Sequence, residues 1–262
     1  MNTENNMTHP DHGSTSSVDA VMFYDDLWAN TKRVDQHHKC RILAIERALE
    51  TLPPRSNGTR HILELGSGSG IVAAVLSRYG AVTGVDQSSV GVDISKKSIA
   101  GGTFVVGTLP DIPVTRADFD IVVMTQVIEH LSPIAQLEVL RNSLAKTKLG
   151  GTIIVTTPNK PVSNAMRFAR GELQPIENWF NAKEIQDLLE DSGWIVKNTS
   201  FAFSFFPVNS SRFIAVRALR YLVYDILRLR KLIESMMSIH PRGRYDRDYS
   251  TASIALWESI KN

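Results

Sequence analysis

The sequence predicts an α/β protein built on a doubly wound, mostly parallel sheet of seven strands, with helices before and within it. Three observations carry this prediction. Short apolar runs rich in valine and isoleucine (HILEL, AVTGVD, TFVVG, DFDIVVMT, GTIIVTTP) alternate with stretches of helical periodicity, the pattern of strand–helix–strand units. A glycine-rich loop, ELGSGSG, joins the first of these strands to the helix after it. The last two strand signals, WIVKNTSFAFSFF and STASIALWESI, are separated by a long helical stretch and read as an addition at the sheet edge.

Taken in order, residues 1–17 (MNTENNMTHPDHGSTSS) are polar and lack an apolar core segment, so they read as a disordered N-terminus and not as a signal peptide. Residues 18–54 read as helix, in two pieces, because Leu27, Trp28, Ile42, Ile45 and Leu49 recur at helical spacing and Pro53-Pro54 stops the run. This is an N-terminal helical lid. Residues 55–262 form the main domain. In it IVAAVLSRYG is a helix closed by Gly80, and SVGVDISKKSIA is a helix. PIAQLEVLRNSLAK is a helix closed by Gly150-Gly151, and NAKEIQDLLEDSG is a helix opened by a capping box from Asn181 to Glu184. Two lid segments are expected in this domain, at about 159–180 and 207–245. A helix is predicted over about 212–238.

The chain has 262 residues, 43% apolar and 21% charged, with a net charge of +2. Such a balance argues neither for nor against nucleic acid, so any basic patch must be local. Cys40 is the single cysteine, which excludes an internal disulfide and a cysteine-based zinc site. The longest apolar-rich segment, 213–237, carries a charge every few residues, unlike a bilayer-spanning helix.

The glycine loop is the first chemical signal. Its glycines permit a tight turn and close approach of a ligand, and a helix N-terminus follows. The spacing is G-x-G-x-G, with Ile71 after Gly70. The dinucleotide fingerprint needs G-x-G-x-x-G, and GKS or GKT is absent, which disfavours NAD and excludes a Walker loop. Asp86 ends the next strand, 20 residues beyond Gly66, where a carboxylate can accept both hydroxyls of a ribose. A second GVD begins at Gly91 but lies within a predicted helix. Glu64, two residues before the first glycine, would repel a pyrophosphate. It suits a ligand with an ammonium group and no phosphate, which points to S-adenosylmethionine.

Together E-x-G-x-G-x-G, GVD, the FDIVV strand and the GGTIIVTTP strand resemble the class I S-adenosylmethionine-dependent methyltransferases, with their Rossmann-like fold. The resemblance covers 62–158 strongly and 179–195 more weakly, and is greatest to the ubiquinone-biosynthesis O-methyltransferase-like branch. It implies that Glu64 and Gly66 line the methionine end of the cofactor, that Ser67 and Gly68 also bind the cofactor, that Asp86 holds the ribose, and that Gln87 lies beside the adenine. The family's acid after the third strand is replaced here by Thr108, so Thr108 and Leu109 are the expected adenine contacts, without a charge.

The remaining signal is TQVIEHL, Thr125 to Leu131. Some relatives carry E-x-x-E-H here around a divalent metal. This chain has Gln126 in the place of the first acid, which removes a negative ligand and disfavours a metal. Gln126 is then expected to wall the sulfonium end of the cofactor. His130 is the candidate general base. The alternative is a polar helix start in which His130 bonds backbone. His37 and Glu177 are candidates for the acceptor side.

These signals define an S-adenosylmethionine-dependent methyltransferase acting on oxygen or nitrogen of a small-molecule or lipid-like acceptor. Two rivals stand beside it, a non-catalytic cofactor-binding module and a nucleic-acid methyltransferase. No base-flipping motif supports the latter. The expected location is cytoplasmic. Arg217, Arg220, Arg228 and Lys231 would share one helical face opposite an apolar one, so peripheral contact with an anionic membrane through 212–238 is a further expectation.

Overall fold

The computed structural model describes residues 17–30, 36–54, 58–160, 175–203, 239–241 and 252–261. The predicted disordered N-terminus, most of the lid segments and the predicted helix over 212–238, with its membrane contact, lie outside the described residues.

Two helices open the described chain, α1 (Ser17–Asn30) and α2 (Gln36–Thr51). Then come β1 (His61–Leu65), α3 (Ile71–Leu76), β2 (Ala81–Asp86), α4 (Ser89–Ser98), β3 (Thr103–Val106) and β4 (Phe119–Thr125). A single 3-10 turn (Ile128–His130) precedes α5 (Pro133–Lys146), β5 (Thr147–Pro158), α6 (Ala182–Asp191), β6 (Trp194–Phe203), β7 (Ile239–Pro241) and β8 (Ala252–Lys261). The strand order is β3-β2-β1-β4-β5-β8-β6-β7. Strands β1 to β5 are parallel, and β8 runs antiparallel between β5 and β6. The seven expected strands are therefore all present. The short β7 adds an eighth, paired antiparallel to β6 over three residues.

Alternation along the central strands explains the two layers of core. Ile62, Ile121, Val123 and Ile154 face one cluster, closed by Ala44, Ile45, Ala48 and Leu49 of α2 with Ala73, Leu76 and Val92. Their neighbours Leu63, Val122, Met124, Ile153 and Val155 face the other, closed by Val139 and Leu140 of α5 and Ile185 and Leu189 of α6. Successive strand side chains point to opposite faces, so a strand with helices on both sides reads as an unbroken apolar run. All seven residues of β4 are buried. The central position of β4 also sets where the site forms. Chain order reverses between β1 and β4, and their carboxyl ends open the crevice in which such sheets bind ligands.

Two helix ends differ from expectation. The first core helix stops at Leu76 and passes through a turn before Gly80. Helix α5 ends at Lys146, where the extended Thr147 caps it and starts β5. Gly150-Gly151 lies instead within an irregular part of β5, where the register to β4 shifts between Phe119 and Ile121. The capping box is present as expected, with the Asn181 side chain accepting from the Lys183 and Glu184 amides and Glu184 accepting from the Asn181 amide.

Candidate active site

The glycine loop folds as its composition requires. Gly66, Gly68 and Gly70 all have positive φ (76°, 49° and 80°), a region that side chains disfavour. Space is as restrictive as angle. A Cβ on Gly66 would lie 2.2 Å from Val127 Cγ2, and one on Gly68 would lie 2.4 Å from the Trp28 ring. The loop is tied down because the Gly66 and Ser67 amides both donate to the Val85 carbonyl, at 2.8 and 3.1 Å. Asp86 completes the corner. Its Oδ2 accepts from the Gly68 amide at 2.7 Å and its Oδ1 from the Ser88 amide at 2.8 Å. Burial raises its pKa, and these two amides oppose the rise. Each carboxylate oxygen keeps a further acceptor site.

Glu64 sits at the heart of this corner, 1% exposed. Its Oε2 has no hydrogen-bond partner. Burial holds its carboxyl well above the ordinary range, Asp86 adds to that, and the Arg41 guanidinium of α2 opposes it. A buried carboxyl oxygen of this kind needs a donor. Ser67 Oγ and Gln126 Nε2 are likewise buried without partners. Gln126 has φ 55°, the only positive value among the described non-glycine residues. Such backbone costs roughly 1–3 kcal/mol and is typical of functional sites. The Gln126 amide offsets part of that by donating to the Thr156 carbonyl at 2.9 Å.

The adenine-side residues fall beside Asp86. Gln87 follows it half-buried, and the Gly107 amide donates to the Asp86 carbonyl at 2.9 Å, which brings Thr108 and Leu109 to the same corner. Thr108 is exposed, and Leu109 packs against the second core cluster.

A few residues away lies the second corner, built on the 3-10 turn. Glu129 is 1% exposed. Its Oε2 accepts from Thr157 Oγ1 at 3.0 Å, and its Oε1 has no hydrogen-bond partner. Burial raises its pKa, chiefly opposed by His130, whose Nε2 is 3.8 Å from Oε1. His130 Nδ1 lies 2.6 Å from the Ile176 carbonyl oxygen. A carbonyl only accepts, so Nδ1 carries the proton and Nε2 of the neutral ring is the acceptor. The turn itself is clamped. Gln136 Nε2 donates to the Ile128 and Leu131 carbonyls at 3.0 Å each, and the Asn178 amide donates to the Glu129 carbonyl at 2.7 Å.

Helix α1 roofs both corners. Trp28 covers Gly68, and one turn earlier the Tyr24 ring meets His130 edge-on with centroids 6.3 Å apart. The i, i+4 spacing puts both rings on one face. Asp25 fixes the helix by accepting from Ser88 Oγ and from the Val90 amide. Glu177 lies at this second corner, between Ile176, whose carbonyl meets His130 Nδ1, and Asn178, whose amide donates to the Glu129 carbonyl. The side chain of His37 lies outside the description. Tyr24, Asp25, Trp28, Arg41, Gln136 and Asn178 were not predicted. Of these only Trp28 carried a readable signal, as one of the helically spaced apolar residues.

A depression of about 460 Å³ lined by Arg60, Arg78 and Tyr79 opens at the amino ends of β1 and β2, the opposite edge of the sheet from both corners. No group of three or more His, Cys, Asp or Glu among the described residues is arranged to hold a metal ion. No helix among them is long and apolar enough to cross a membrane.

Comparison with known proteins shows the family. A methyltransferase domain family matches residues 36–197, well over half of the chain. The mitochondrial ubiquinone biosynthesis O-methyltransferase of Schizosaccharomyces pombe is 24% identical over 159 residues, covering 53% of this chain and 56% of that protein. The ubiquinone biosynthesis O-methyltransferase of Coxiella burnetii is 31% identical over 106 residues, covering 38% and 44%. The chain spans about half the length of the curated relatives it matches. The crystal structure of an S-adenosylmethionine-dependent methyltransferase from Thermotoga maritima shares the fold, with TM-score 0.60, 18% identity and coverage of 86% and 91%. The chain belongs to the methyltransferase domain family. By family and fold it is a class I S-adenosylmethionine-dependent methyltransferase domain.

Proposed function

We propose that this enzyme methylates an oxygen or nitrogen of a small-molecule acceptor, with His130 as general base. One observation carries the proposal: the hydrogen bond from His130 Nδ1 to the Ile176 backbone carbonyl, which a purely structural turn would also make, still leaves Nε2 of the neutral ring as a proton acceptor beside Glu129. The residues at the first corner fit the cofactor. Glu64 Oε2 would accept from the methionine ammonium, and Asp86 from the ribose hydroxyls. Gly66, Ser67, Gly68 and Gln126 would line the methionine end, and Gln87, Thr108 and Leu109 would edge the adenine. Bound S-adenosylmethionine supplies an electrophilic methyl group on a cationic sulfur, and the thioether leaves without an acid. The acceptor's O–H or N–H is where the protein must act. Nε2 of His130 takes that proton as the oxygen or nitrogen attacks, while the clamped turn holds the ring in place.

The ubiquinone relatives, named as O-methyltransferases, support oxygen as the methylated atom. A lipid-like acceptor and membrane contact through 212–238 belong to the same reading. The test is methyl transfer from isotope-labelled cofactor into a metabolite extract, read by mass spectrometry. Label should enter a small molecule with the wild-type protein, and its rate of entry should fall by about 10²–10⁴-fold with His130→Ala, although that variant still binds cofactor. Wild-type rates in His130→Ala would exclude the base.

A further inference from the structure

The second corner has a chemistry that the base alone does not use. Glu129 is buried, yet its Oε1 receives no hydrogen bond from the protein. Thr157 serves only the other oxygen. The rings beside it are aromatic: Tyr24 and His130 meet edge-on. Glu177 supplies a second carboxylate, carried between Ile176 and Asn178, which bond to His130 and to the Glu129 carbonyl. Burial, Glu129, Asp86 and Glu177 all push that phenol's pKa up. Tyr24 therefore stays neutral beside His130.

From this arrangement we infer that the acceptor carries a protonated amine, seated against Glu129 Oε1 and walled by Tyr24, with Glu177 nearby. The inference rests on the methyl-transfer reading and narrows its substrate class. A buried carboxylate oxygen lacking a donor is costly unless a ligand supplies one. A charged N–H is the strongest donor a small molecule can bring. An aromatic wall favours the same ammonium through its π face. An anionic acceptor would meet two carboxylates, and a plain hydrocarbon would leave Oε1 without a donor. The amine is an anchor. It positions the acceptor so that the hydroxyl or amine facing His130 Nε2 receives the methyl group.

Three probes of one shape separate charge from fit: benzylammonium, benzyl alcohol and benzoate. Each is added to the full-length protein saturated with S-adenosylhomocysteine, and contact is read by saturation-transfer NMR. Benzylammonium should bind, benzyl alcohol should bind at least about tenfold more weakly, and benzoate should not bind. Glu129→Gln keeps the shape of the side chain and should remove the preference, with cofactor affinity held within about twofold. Equal binding of the three, a preference for benzoate, or no binding of any overturns the inference. So does displacement of benzylammonium by Mg²⁺ at equal concentration, which would make the site a metal's. A parallel arm separates this failure from that of the methyl-transfer reading. A neutral-pH metabolite extract is split by ion exchange and incubated with labelled cofactor. Label in the cationic fraction supports the amine. Label only in the neutral or anionic fraction overturns the amine and leaves methyl transfer standing. Absence of label in every fraction overturns methyl transfer to small molecules and the amine with it.

Discussion

The two corners of the site are built in different ways. The cofactor corner is local and made of backbone. Gly66, Gly68, Asp86 and Ser88 lie within 23 residues of one another in sequence and bond through main-chain amides. The acceptor corner is assembled from distant pieces. His130 depends on a carbonyl 46 residues later and on a ring from α1, and Glu129 on a hydroxyl 28 residues later. A ligand common to all relatives can be held by backbone, whose geometry changes little with side-chain substitution. An acceptor that differs between relatives must be recognised by side chains on segments free to vary.

The largest expected effect breaks the acceptor corner alone. His130→Ala should lower kcat by about 10²–10⁴-fold, the usual worth of a positioned base. Cofactor affinity should move by less than about twofold. Stopped-time assays and calorimetry together check this. A matching loss of cofactor affinity would mean that the corners are not separate.

The next effect breaks the other corner. Asp86→Ala should weaken cofactor binding by about tenfold or more, since the ribose loses its acceptor and the Gly68 and Ser88 amides lose theirs. At saturating cofactor, kcat should recover most of its value. Calorimetry that finds unchanged affinity would remove Asp86 from the site.

Asp25→Ala sharpens the comparison because α1 roofs both corners. The bonds from Ser88 Oγ and the Val90 amide fix this helix over Gly68 and His130. Loss of a half-buried charged acceptor is worth about 1.5–3 kcal/mol at most, and part of it is regained by water at the helix edge. Cofactor KM should rise and kcat should fall together, each by about three- to tenfold. A change in only one of them would show that α1 serves one corner.

This contrast also explains what the sequence could reveal. Alternating apolar runs and helix periods gave the sheet and its order of elements, because strands buried on both faces must be apolar throughout. The glycine spacing and Asp86 were readable because positive φ and close approach leave few residue choices. The short β7 was unreadable, since three residues carry no period. Gly150-Gly151 resembled a helix stop but belongs to a strand irregularity, where Thr147 had already ended the helix. Trp28 read only as an apolar residue of a helix and Tyr24 carried no signal, and the docking of α1 turns both toward the site. Nothing at Gln136 announces that its amide would bridge two carbonyls around His130.

The smallest expected effect lies outside both corners and controls for them. Asn181 and Glu184 cap α6, far in sequence from the cofactor loop. Asn181→Ala should cost about 1 kcal/mol of stability and leave kcat and KM unchanged. Glu184 adds a pH signature. Burial works against its charge, but the hydrogen bond from Lys160 and the Asn181 amide outweigh it, so its pKa is lowered from 4.5. The unfolded chain therefore binds this proton more readily than the folded one. The carboxylate's stabilising contribution is complete above 4.5 and is lost as the pH falls through its folded value. Because the pair with Lys160 is well exposed (41% and 42%), solvent screens it and the contribution stays small. Chemical denaturation of wild type and Glu184→Gln should give curves that differ at neutral pH and converge on acidification below 4.5. Curves that stay parallel down through that range would show that the Glu184 charge plays no part in holding α6.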